Sequence, residues 1–100
     1  MTFAEFNQSV AGGGAMPAAG VSGAVAALWH DARNDWEAAH EAAQADKSKA
    51  GSWVHAYLHR KEGDAGNAGY WYARAGRRMP ADGVTLAAEW EAMARELTEG

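Results

Sequence analysis

The sequence predicts an all-α fold of about five helices. No segment alternates apolar and polar residues with the two-residue period of a strand, and capping residues and glycines divide the chain into helix-sized pieces. The hydrophobic fraction is 48%, and much of it is alanine, which favours helices but fills little core volume. The five tryptophans and three tyrosines must therefore supply much of the packing between closely approaching helices.

Capping residues set the predicted order of the helices. Residues 3–10 form a short helix that docks its apolar residues, and a Gly-rich loop follows over Ala11–Gly20. Side chains able to accept a hydrogen bond from a first helical turn mark the later starts, at Ser22, Asp35, Ser52, Asp64 and Thr85. The last helix has one apolar stripe, formed by Leu86, Trp90, Met93 and Leu97. We divide the chain into an N-terminal segment, 1–20, and a single helical domain, 21–100.

Two helical hairpins are predicted within the domain, with turns at Asn34-Asp35 and Gly63-Asp64. Gly63 suits a helix end because glycine adopts left-handed backbone angles at little cost. Aligning the sequences of the two hairpins by their turns reveals an internal repeat. In this alignment Ala27 corresponds to Ala56, and Ala39 corresponds to Ala68. Small residues at these positions predict that the paired helices cross closely.

Composition excludes several classes of function. The net charge of −4 and the acidic isoelectric point argue against a nucleic-acid partner, since such proteins present a basic face. There is no cysteine, hence no disulfide framework and no thiolate chemistry. The uncharged stretch from Phe6 to Trp29 lacks the basic flank of a signal peptide and the Leu, Ile and Phe content of a membrane span. We therefore expect a cytoplasmic protein with no membrane partner.

The most informative segment is WVHAYLHRKEGDAGNAGYWYARAG, residues 53–76. It resembles a tetratricopeptide repeat of the Sel-like kind through Ala56, Gly63-Asp64, Ala68, Tyr72, Ala75 and Pro80. That resemblance implies two TPR-like antiparallel hairpins with a C-terminal capping helix, and a concave groove that binds a peptide or protein. Together with DWEAAHEAAQ, the segment also resembles a family of small bacterial helical proteins, which implies no particular activity.

The histidines of this segment form one candidate site. His55, His59 and Glu62 follow a spacing that puts two imidazoles and a carboxylate on one helical face. Such ligands suit Zn²⁺ or a similar ion, and His40 or Asp64 can complete the set. Three interpretations stay open: a hydrogen-bonded polar core, a metal site, and general acid–base chemistry. The first is favoured, so no resident metal or cofactor is expected.

A second candidate site combines aromatic rings and cations on the same helix. Trp53, Tyr57 and Lys61 recur every four residues, and Arg60 lies beside the two rings on the helical wheel. In the TPR-like fold implied above, this face lines the concave groove. Two rings and two cations there suit an acidic peptide or a small anion. The alternative is that the rings belong to the core and the cations to the solvent.

We interpret the chain as a small interaction module, monomeric or homodimeric, that binds a peptide, a protein partner or a small anionic ligand. The alternative is a small-molecule or metal-binding protein, conceivably an enzyme, built around His40, His55, His59 and Glu62. No phosphate-binding loop or nucleophile elbow is present in the sequence, so it names no reaction.

Overall fold

The computed structural model describes residues 1–12 and 21–98, which form six helices and no strand. Their bounds are α1 Phe3–Ala11, α2 Gly23–Ala32, α3 Trp36–Ala45, α4 Lys49–Lys61, α5 Ala65–Ala75 and α6 Leu86–Leu97. The all-α prediction is confirmed. The number is six against the predicted count of about five: the N-terminal helix expected over residues 3–10, the four helices of the two hairpins and the last helix. From residue 13 on, the predicted Gly-rich loop lies outside the described residues.

Four of the five predicted caps are observed. The side chains of Ser22, Asp35, Asp64 and Thr85 each accept a hydrogen bond from the backbone N–H three residues ahead. The prediction at Ser52 is wrong, because α4 begins earlier and Ser48 caps it by accepting from the N–H of Gly51 at 3.2 Å. Asp46 fixes the earlier start, since its carboxylate accepts from both the backbone N–H and the hydroxyl of Ser48.

The two hairpins turn where the sequence predicts. Each turn has a left-handed residue, Asn34 with φ of 63° and Gly63 with φ of 88°. Each turn also closes with a backbone hydrogen bond to the residue five positions earlier. The Asp35 N–H donates to the His30 carbonyl, and the Asp64 N–H donates to the His59 carbonyl. The small residues expected at the crossings are fully buried, namely Ala27, Ala39, Ala56 and Ala68. Interpretation of the hairpins as TPR-like repeats stays a prediction.

Helix α4 is the centre of the molecule. All residues from 51 to 59 are buried, and α4 contacts α2, α3, α5 and α6. The largest side chains with essentially no exposed surface include Phe6, Leu28, Leu58, Tyr72 and Met93. Because α4 is covered on every side, its polar residues at positions 55, 57 and 59 lie in the interior and must find partners there.

Helix α6 lies against the first helix of both hairpins, α2 and α4. The indole N–H of Trp90 donates to the Leu28 carbonyl of α2 at 3.1 Å, and its ring stacks on Phe6 of α1. The TPR-like resemblance implies an open groove on this face, but α6 covers a large part of it. Among the described helices, none combines the length and the apolar character that crossing a membrane requires.

Candidate functional site

Three of the four histidines meet between α3 and α4. His55 and His59 lie one turn apart on α4, and His40 reaches them from α3. One ring nitrogen from each of the three lies within 4.8 Å of the other two. The ring centroids are separated by 4.6 Å for His40 and His55, 5.3 Å for His40 and His59, and 4.8 Å for His55 and His59. We call these three residues the histidine cluster.

Two tryptophans stack on imidazoles of the cluster. Trp71 of α5 stacks on His55 with 3.9 Å between centroids, and Trp36 of α3 stacks on His40 at 4.9 Å. Trp36 is itself fixed, because its indole N–H donates to the Leu58 carbonyl at 3.1 Å. The imidazoles are therefore positioned by packing on rigid helices, as a preorganised site requires.

Two of the three imidazoles, those of His40 and His55, favour the neutral form. Burial, together with the neighbouring His40 and His59, lowers the pKa of His55 to about 4. Burial and His59 also lower the pKa of His40. Neutral imidazoles retain a lone pair that can coordinate a cation. Among the described residues, Nδ1 of His55 is the buried side-chain polar atom without a hydrogen-bond partner.

A carboxylate completes the outer edge of the cluster. Nδ1 of His59 lies 2.5 Å from Oε1 of Glu62, a contact that favours a proton on Nδ1. His59, Glu62 and Asp64 also bring one possible ligand atom each within 4.8 Å of one another. The Glu62 side chain is 38% exposed, so the cluster is reached from solvent on this side. The structure thus joins His40 and Asp64 to the predicted helical face.

The second predicted set is arranged differently from the open cleft that we expected. Trp53 and Tyr57 are buried, with exposed fractions of 7% and 2%. Both cations are held by carboxylates of the same chain: Lys61 donates to Asp31 at 2.8 Å, and Arg60 donates to Glu89 at 2.7 Å. The four side chains do not line one groove. Trp53 borders a cavity near the end of α5, and Tyr57 and Lys61 border another between α1, α2, α4 and α6.

Asp31 and Glu89 are the polar residues that the sequence did not single out. Each is almost fully buried and accepts a tyrosine hydroxyl, from Tyr57 at 2.7 Å and from Tyr72 at 2.5 Å. Burial raises the pKa of both tyrosines, and the hydrogen bonds to the carboxylates raise it further. These hydroxyls therefore stay protonated, and the two networks tie α2 and α6 to α4. The only signal in the sequence is one acidic residue on the apolar side of each helix.

Comparison of the chain with protein-family models, with curated proteins and with solved structures gives no match. Function therefore rests on the chemistry of the site itself.

Proposed function

We propose that the protein binds a transition-metal ion, Zn²⁺ or one of similar preference, through His40, His55 and His59. The observation that supports this most is the convergence of three ligand nitrogens within 4.8 Å. Ligand nitrogens in a tetrahedral zinc site lie about 3.3 Å apart, given bonds of about 2.0–2.1 Å. The three nitrogens therefore need to approach one another by at most about 1.5 Å to reach this spacing.

The electrostatics of the cluster favour a cation over protons. Metal binding must displace any proton on a ligand nitrogen, and the lowered pKa values of His40 and His55 mean that neither carries an extra proton at pH 7. Glu62 on Nδ1 of His59 matches the carboxylate that commonly orients a metal-bound imidazole and makes it a better donor.

A purely structural polar core explains the cluster less well. Buried histidines in a core are normally hydrogen-bonded, and a buried polar atom without a partner costs about 1–3 kcal/mol. Among the described residues, Nδ1 of His55 is such an atom. Coordination of a metal ion through Nδ1 of His55 would give this atom a partner.

Three imidazoles leave a further coordination position open. In zinc proteins that position is filled by a fourth protein ligand in closed structural sites and by water in catalytic ones. Asp64 is the candidate for a fourth protein ligand, because it lies near His59 and is exposed, whereas Glu62 is already engaged with Nδ1 of His59. The interaction-module hypothesis stays a prediction beside this proposal.

A thermal-shift experiment with matched variants tests the proposal. Zinc at 100 times its dissociation constant stabilises the folded state by about 2.7 kcal/mol. For a domain of this size, the unfolding temperature rises by about 10 °C or more. We expect His40→Gln to lose most of that rise. His30→Gln should keep it, because His30 packs against Trp29 outside the cluster. An equal rise in all three proteins, or none in the wild type, contradicts the proposal.

A further inference from the structure

A second cavity lies where α5 ends and the chain turns toward α6. It has a volume of about 440 Å³, within the usual range of small-molecule sites. It is bordered by Trp53 of α4, by Arg77, Arg78 and Pro80 after α5, and by Val84 and Ala88 at the start of α6. We call it the α5–α6 cleft. None of the three clustered histidines lines it, so it is independent of the proposed metal site.

One side of the cleft is apolar. Trp53 is packed in the core with 7% of its surface exposed, and it borders the cavity. Val84 is 37% exposed, which is unusual for a large apolar side chain in this protein. Pro80 and Ala88 complete an apolar surface with little conformational freedom to lose on binding. This wall suits a flat hydrocarbon group.

The other side of the cleft is cationic. The Arg77 guanidinium lies over the Trp53 ring, 3.4 Å from its centroid, and also pairs with Glu96. Arg78 is exposed, and no ion pair or hydrogen bond joins its side chain to another described residue. Glu89 borders the cavity as well, but Arg60 and Tyr72 already bind its carboxylate. The side chain left with free donors is therefore Arg78, with Arg77 next to it.

We propose that the α5–α6 cleft binds a small amphipathic anion, a molecule that joins a carboxylate or phosphate group to a flat apolar body. The planar guanidinium of Arg78 can donate two parallel hydrogen bonds to such a group. The body then packs against Val84 and Trp53, which both border the cavity. Arg77 is paired with Glu96 and Glu89 with Arg60, so the unpaired charge at the cleft is that of Arg78, which attracts anions from solution. Trp53 thus lines the proposed anion site, as the sequence predicted. The arginines beside it are Arg77 and Arg78, whereas the sequence pointed to Arg60 and Lys61.

Titrations followed by amide NMR test this proposal with four probes at millimolar concentration. Phenyl phosphate and phenylacetate carry both the charge and the ring, inorganic phosphate carries only the charge, and benzyl alcohol carries only the ring. EDTA is present throughout, so that the result does not depend on any metal. We expect the first two probes to shift the amides of Arg78, Val84 and Ala88. The other two should bind at least several-fold more weakly. A preference between phenyl phosphate and phenylacetate shows which anionic group the cleft selects.

Two variants of equal charge locate the anion. Arg78→Gln should weaken the binding of both ring-bearing anions about tenfold, because one charge-assisted hydrogen-bonded pair is lost. Arg74→Gln is the control, because Arg74 is exposed on α5 against Tyr70 and Trp71, outside the cleft. It should bind the probes like the wild type, and both variants should unfold at the wild-type temperature. Equal weakening in the two variants, shifts outside the cleft, or equal binding of all four probes overturns the proposal.

Discussion

Replacement of Gly51 by alanine tests the helix crossing that forms the histidine cluster. Gly51 lies one turn before His55, where the end of α3 meets the start of α4. A Cβ atom built at this position lies 2.0 Å from the backbone oxygen of Asp46 and 2.7 Å from its Cβ. Real Cβ atoms essentially never approach closer than 3.0 Å, so the Asp46 backbone must move by more than about 1 Å. Asp46 also accepts from the backbone N–H of Ala24, and the displacement therefore reaches α2.

Gly51→Ala should lower the free energy of unfolding by about 2 kcal/mol. Overpacking of this kind costs about 1–3 kcal/mol or more, and the better helix propensity of alanine offsets at most about 1 kcal/mol. The unfolding temperature, measured by circular dichroism, should fall by about 10 °C. Gly66→Ala is the matched control, since Gly66 is in α5 with no atom within 4 Å of the added Cβ, and it should be neutral or stabilising. A Gly51→Ala protein as stable as the wild type refutes the close approach.

Three further predictions concern the polar groups. In metal-free protein, stability should decrease as the pH falls from about 6.5 to about 4, by up to about 3 kcal/mol. The reason is that the unfolded chain protonates His55 before the folded one does, and a His55→Gln protein should show a shallower pH dependence. Glu89→Ala should lower the free energy of unfolding by about 3 kcal/mol, because it leaves the Arg60 charge without its buried partner. Glu91→Ala removes an exposed ion pair on the same helix and should lower it by less than about 0.5 kcal/mol. Glu62→Gln should reduce zinc affinity about 10- to 100-fold in a calorimetric titration, because Glu62 contacts Nδ1 of His59. An unchanged affinity would show that Glu62 does not orient His59 toward the metal.

Local features of the fold were predictable from the sequence. Caps, turns and helix ends depend on residues within a few positions of one another, and Asp35, Gly63 and Asp64 act as expected. The start of α4 was not predictable in this way. Ser48 and Ser52 are equally good caps by type, and the choice depends on Asp46, which also bonds to the first turn of α2. Contacts between helices therefore decide between local signals of similar strength.

The candidate site was predictable only within one helix. The helical period places His55, His59 and Glu62 on one face, but the approach of His40 depends on how α3 packs on α4. Arg60 and Lys61 show the opposite case. As neighbours in sequence they look like solvated cations or a shared anion site, yet each pairs with a buried carboxylate on a different helix. Asp31 and Glu89 lie about 30 residues away along the chain from these cations, so no local pattern reveals the pairs.

The central claim is that the histidine cluster coordinates a metal, and X-ray absorption at the zinc edge measures this most directly. The protein is saturated with one equivalent of Zn²⁺ and compared with its His40→Gln variant. We predict three imidazole nitrogens at about 2.0–2.1 Å in the wild type and one fewer in the variant. A zinc ion ligated by oxygen alone, or the same imidazole number in both proteins, contradicts the account.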